Sequence, residues 1–218
     1  MDSNYNLAGL KARIKDKLDD QEYPEDVIAR FINDAYFDVL GDEEYQFLEK
    51  MYQGATQEGG VLPLPSNYQS LFTLTATTSA GTMALEYMPK EEYFIKGKGD
   101  KPYKYTIFAD QLFYDLPSIE GEDEYGEERF YDLRLYYLAK PKMLVNDTDK
   151  PLIPYEFGEI LVLGALARCE RRRDNFDYAG VYEAKMDELV TNMKLRYCPR
   201  QLANENRAKL PVIVKTRH

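Results

Sequence analysis

The residue groupings in this chain that could do chemistry are three carboxylate runs, a calcium-loop-like stretch, a glycine–lysine stretch and an arginine cluster. Acids stand side by side in "GDEEY" (Asp42, Glu43, Glu44), in "KEEY" (Glu91, Glu92) and in "EGEDEYGEE", which holds six between Glu120 and Glu128. A glycosidase needs two carboxyls facing each other across a sugar in a concave site, one of them with its pKa raised by burial. Neighbouring acids in a glycine-containing loop read instead as a solvated, self-repelling surface. "NDTDKP" at 146–151 offers Asp147 and Asp149, but it lacks the turn glycine and the twelfth-position Glu of an EF-hand, so these acids read as residues that cap or turn the chain. "GKGDKP" at 97–102 lacks the order and the strand-to-helix setting of a phosphate-binding loop. "RCERRRDN" at 168–175 would make a small contact to a nucleic-acid backbone, flanked by acids. It is better explained as a helix C-terminus, where Arg171, Arg172 and Arg173 meet the negative end of the dipole.

What the chain lacks narrows the chemistry further. The single histidine is the last residue, His218, so a triad, a general base or a zinc site built on an internal imidazole is excluded. Cys169 and Cys198 read as free thiols of a reducing compartment, and two thiols do not fill a structural zinc site. No catalytic, cofactor-binding or metal-binding residue is therefore assigned, and the expectation is a protein that is not an enzyme and needs no cofactor or metal. A formal net charge of -10 opposes approach to a nucleic-acid backbone or an anionic membrane. No apolar run approaches 18 residues and the N-terminal stretch has no apolar signal region, so the expectation is a soluble protein with neither membrane span nor signal peptide. Nineteen tyrosines suit surfaces that are wet before assembly and buried after it.

The elements that would carry these residues fall into an order of helix, sheet, helix. Leu7, Leu10, Ile14 and Leu18 recur at helical spacing, and Ile28, Ile32, Ala35 and Val39 repeat the pattern after Pro24. Two antiparallel helices cover residues 6–52 most simply. "QGATQEGGVLPLP" ends that periodicity. Strands follow at Leu71–Thr77, at "ALEY", in a hairpin turning at Ala109 and Asp110, and in "RFYDLRLYYLA", with a short helical stretch in "PKEEYFI". Helix returns with "PYEFGEILVLGALARCERR", apolar around so much of its circumference that protein must surround it, and Gly164 and Ala165 admit a close neighbour from this chain or a second subunit. A final helix carries Tyr178, Tyr182, Met186, Leu189, Met193 and Tyr197. After Pro199 the chain has five Lys or Arg against one Glu and a strand-forming "PVIVK".

The expected fold class is α+β: a helical bundle body with an inserted small antiparallel β-sheet or sandwich and an extended C-terminal arm. Residues 1–58 would be the N-terminal helices, 59–140 the β-rich insertion, 141–198 the helices completing the body, and 199–218 the basic arm. A core of this size fits 218 residues, and the 44% hydrophobic share is that of a globular chain.

The sequence blocks "DDQEYPEDVIARFINDAYFDVL", "LPLPSNYQSLFTLT", "ALEYMPKEEYF", "LRLYYLAKPKMLVNDTDKPLIPYEFGEILVLGALARCERRRDN" and "YEAKMDELVTNM" occur in an order that resembles the head-to-tail adaptor (connector) proteins of tailed bacteriophages. The resemblance covers roughly residues 7–197. It implies a virion structural protein made in the host cytoplasm and placed at the head–tail junction. Its partners would be further copies of itself, typically in a dodecameric ring, the portal protein and a neighbouring tail protein. Genomic DNA would pass through the channel during ejection without specific binding, and no membrane partner is implied. By position Phe157, Ile160, Leu161 and Gly164 belong to the returning core helix, and Tyr87 to Phe94 to the insertion. The alternative is a baseplate or tail-fibre attachment module that binds a partner protein through the β insertion.

Overall fold

The computed structural model describes residues 5–41, 43–55, 60–78, 81–96, 104–115 and 132–198. The acidic run Glu120–Glu128, the stretch 97–102 and the arm from 199 onward lie outside the described residues. The fold is α+β, with helices before and after two small sheets, and the chain divides into two compact units, residues 1–48 with 141–218 and residues 49–140. Among the described residues no helix is long and apolar enough to cross a membrane.

The first unit is helical. α1 (Leu7–Leu18) and α2 (Glu25–Leu40) bury the residues that their spacing singles out: Leu7, Leu10, Ile14 and Leu18 on α1, and Ile28, Ile32, Ala35 and Val39 on α2. α4 (Glu159–Arg172), reached through a 3-10 turn at Tyr155–Phe157, is buried without interruption from Ile160 to Ala167. A helix with no solvent face must be covered on several sides, and α4 packs against α1, α2 and α5 (Phe176–Tyr197). Gly164 shows how closely: a Cβ there would lie 2.7 Å from the Cβ of Ala35 on α2 and 2.9 Å from the Sδ of Met186 on α5. The close neighbours admitted by Gly164 are thus helices of this chain.

Three expectations are corrected here. The helical reading of residues 6–52 fails after α2, because Glu49–Ala55 forms β1, paired residue for residue with Asp132–Leu138. Its hydrogen-bonding partner lies some eighty residues away in sequence, so local periodicity could not reveal it. Pro154 opens the 3-10 turn, not the helix, and Phe157 sits in that turn, one residue before the Gly158 that precedes α4. Tyr178 does not share the inner face of α5: it is exposed, while Ala179 and Met193 are buried.

The second unit contains two four-stranded sheets. One has the order β1–β8–β3–β4 with β3 at Tyr68–Thr78, β4 at Gly81–Ala84 and β8 at Asp132–Ala139. The other runs β2–β7–β6–β5, with β2 at Val61–Pro63, β5 at Glu86–Tyr87, β6 at Lys104–Phe108 and β7 at Gln111–Asp115. Pairing is antiparallel except for β5 with β6. The strand expected in "ALEY" is split, because buried Leu85 separates β4 in one sheet from β5 in the other. β8 alternates as its sequence suggests from Leu133 to Tyr137, with Leu133, Leu135 and Tyr137 buried and Tyr136 exposed, and the alternation ends at Leu138 and Ala139, which are buried as well. Leu74, Ala76, Leu133 and Leu135 from one sheet and Leu62, Tyr105, Leu112 and Tyr114 from the other form a single core, so the sheets share one apolar interior. The β6–β7 hairpin turns at Ala109 (φ 50°) and Asp110 (φ 58°), both left-handed as a two-residue hairpin loop requires. α3 (Lys90–Lys96) carries Phe94, whose ring meets Phe108 and Phe113 edge-on at 6.1 and 5.2 Å.

Candidate assembly surface

Among the described residues, several of those the sequence offers for chemistry are engaged in ion pairs that hold the helical unit. Of the arginine cluster, Arg168 pairs with Asp38, Arg171 meets both carboxylate oxygens of Glu183 at 2.7 Å, and Arg173 pairs with Asp20. Those guanidiniums are neutralised by carboxylates, so a compact phosphate-binding set is not formed; Arg171 and Arg172 lie in the last turn of α4, where a helix dipole favours cations. Glu43 pairs with Lys194, and Glu91 and Glu92 are exposed in the first turn of α3. Cys169 and Cys198 are buried free thiols, and burial pushes both thiols up, Cys198 to about 11. Among the described residues no group of three or more His, Cys, Asp or Glu side chains could hold a metal ion.

The segment between β8 and the 3-10 turn, residues 141–154, stands out for a different reason. It contains no regular secondary structure, yet its backbone is pinned along its length. Asn33, buried in α2, holds Leu144 by both backbone groups: the Leu144 N–H donates to Oδ1 at 2.8 Å, and Nδ2 donates to the Leu144 carbonyl at 3.0 Å and to the Ala29 carbonyl at 2.9 Å. The Asp149 carboxylate accepts the backbone N–H groups of Val145 and Asn146, each at 2.8 Å, and these bonds hold its pKa below the usual carboxylate range. "NDTDKP" thus closes a turn.

The same turn completes α1. A helix leaves its first N–H groups without internal partners. Here the Leu7 N–H donates to the Asp149 carbonyl at 2.9 Å, the Ala8 N–H to the Asp147 carbonyl at 3.1 Å, and the Gly9 N–H to the side chain of Asn6 at 2.9 Å. Lys11 adds a charged clamp, 2.6 Å from the Asp147 carboxylate and 2.9 Å from Glu25 of α2, and the Asp147 bond heads the causes that raise its pKa. Further along, the Leu152 N–H donates to the Tyr36 hydroxyl at 3.0 Å and the Tyr5 hydroxyl donates to the Ile153 carbonyl at 2.8 Å. Burial raises the Tyr5 pKa, so the phenol stays a donor.

Leu144, Pro151 and Ile153 point inward, whereas Met143 and Val145 are 61% and 70% exposed and Leu152 is also exposed. Lys142 and Lys150 flank them, and neither is in a salt bridge with any described residue. A rigid backbone that presents apolar side chains with a cationic rim suits protein–protein contact, because little conformational entropy remains to be lost on docking.

Sequence reading had placed Asp147 and Asp149 in a cap or turn, and both serve there. It had not singled out Tyr5, Asn33 or Tyr36. The available signal was Asn33 itself, an amide beside the apolar stripe of a helix, where its side chain must find partners.

No curated protein matches the chain. A family model described as SU10 adaptor protein matches residues 5–212, a span that includes both helical parts, both sheets and the pinned segment. The resemblance drawn from the sequence blocks therefore holds over nearly the whole length, and the chain belongs to the SU10 adaptor protein family.

Proposed function

We propose that this protein is a head-to-tail adaptor of a tailed-bacteriophage virion, a structural and non-enzymatic subunit that assembles as a ring, typically of twelve copies, between the portal and a tail protein. The family match over residues 5–212 is the observation that carries this reading. It is supported by a chain whose polar groups are spent on internal ion pairs and caps while apolar side chains stand exposed on rigid segments. In this role the protein encloses the channel through which DNA leaves the head, and its formal charge of -10 keeps the duplex mobile because no counterion-releasing phosphate contacts hold it.

The test is to incubate the purified chain with purified portal particles and to measure the mass and symmetry of the product by native mass spectrometry and particle imaging. A ring of the chain seated on the portal is the expected result. A trimer or hexamer that ignores the portal would support a fibre or baseplate attachment module, and a chain that stays monomeric with portal present would sink the adaptor reading.

A further inference from the structure

α5 is 22 residues long, yet only Ala179 and Met193 on it are fully buried. Its outer stripe runs Asp177, Val181, Ala184, Glu188, Leu195, at spacings of four, three, four and seven, and every member is exposed. Phe176 and Tyr178, also exposed, flank its start. This stripe is apolar and acidic: Asp177 and Glu188 on it and Asp187 beside it are in no salt bridge with a described residue, and neither is the neighbouring Lys185. The pinned segment presents exposed Met143 and Val145 between Lys142 and Lys150, with Leu152 just beyond; its own acids are already engaged, Asp147 with Lys11 and Asp149 with the Val145 and Asn146 N–H groups, which leaves the two lysines as its uncompensated charges. The two surfaces share no residue, since one hangs on α1 and α2 and the other is the outward side of α5.

We infer that the pinned segment at residues 142–152 of one copy docks on the outer stripe of α5 of a second copy. Apolar side chains meet at the centre, and Lys142 and Lys150 face Asp177 and Glu188 at the rim. The contact joins two different patches, so each copy keeps one patch free for the next, which is the geometry that closes rings when the rotation permits. Opposite rim charges set the register and speed encounter, whereas like charges brought together oppose it. This inference rests on the adaptor reading for its ring, but it assigns the surfaces that mate.

Two variants of the full chain test it. The first, Lys142→Glu with Lys150→Glu, makes both patches acidic; the second, Asp177→Lys with Glu188→Lys, makes both basic. Each alone should need about tenfold more protein to self-associate than the wild type at low salt, read by sedimentation velocity. An equimolar mixture should regain wild-type assembly, because every contact then joins an acidic patch to a basic one. Val181→Asp should weaken assembly in any mixture. Melting curves of the separate variants establish that each is folded.

If both variants assemble like the wild type, or if folded variants stay apart when mixed, the docking assignment is wrong. If the wild type and variants all seat on portal particles alike, the assignment fails while the adaptor reading survives. A wild-type chain that neither self-associates nor binds portal overturns both.

Discussion

Asn33→Ala removes the side chain that fastens the segment 141–154 to α2. In the wild type the Leu144 N–H and C=O both bond to this amide, and both bonds are buried. Alanine would leave the two backbone groups without partners, and an orphaned buried polar group costs about 1–3 kcal/mol. Helix propensity returns about 0.6 kcal/mol, since alanine is the better helix former. With two groups orphaned the net loss should be about 1.5–5 kcal/mol, which for a chain of this size lowers Tm by about 3–20 °C. Differential scanning calorimetry measures it, and hydrogen exchange of the Leu144 amide reports whether the segment itself has been released. Thr148→Ala, on the exposed turn of the same segment, should stay within about 0.5 kcal/mol of the wild type. Asn33→Asp adds a sign test. It keeps an acceptor for the Leu144 N–H but buries a carboxylate with no donor for the Leu144 carbonyl, so its pKa should rise and part of the lost stability should return as pH falls through that raised value. An Asn33→Ala chain that melts within about 1 °C of the wild type with the Leu144 amide still protected would refute the idea that this amide holds the segment.

Gly164→Ala should destabilise by about 1–2 kcal/mol, because overpacking against Ala35 and Met186 outweighs the gain in helix propensity. Adding Ala35→Gly should recover part of that loss in a double-mutant cycle read by urea unfolding, and strict additivity would mean the two helices do not meet there. Ala109→Gly should stabilise by up to about 1 kcal/mol, since glycine adopts the φ of 50° freely and alanine does not; a lower denaturation midpoint would contradict a left-handed turn. Acid should weaken the helical unit. Asp149, bonded to two backbone N–H groups, and Glu25, bonded to Lys11 and Lys15, both have pKa values below the usual range, so their stabilisation is complete above the unfolded-state carboxylate values and is lost as pH falls through the depressed ones. A melting temperature that does not fall in acid would show that these bonds contribute nothing.

Periodicity alone determined the buried faces of α1 and α2 and the enclosure of α4, though not the face of α5. The spacing of Leu7, Leu10, Ile14 and Leu18, and the all-round apolar character of Ile160–Ala167, each translate into burial because a 3.6-residue repeat leaves an apolar stripe one place to go. The alternation in β8 and the two-residue turn at Ala109–Asp110 were legible for the same local reason. Tertiary structure decided what depends on partners distant in sequence. Glu49–Ala55 is a strand because Asp132–Leu138 lies beside it, and Tyr178 faces outward because α4 takes the neighbouring stripe of α5. The segment 141–154 reads as a polar loop by composition, and only the amide of Asn33, 111 residues earlier, and the open N-terminus of α1 make it a fixed surface. Hydrogen bonds between residues so far apart leave no period in the sequence; they follow from the requirement that every buried backbone group find a partner, and the fold alone determines which one.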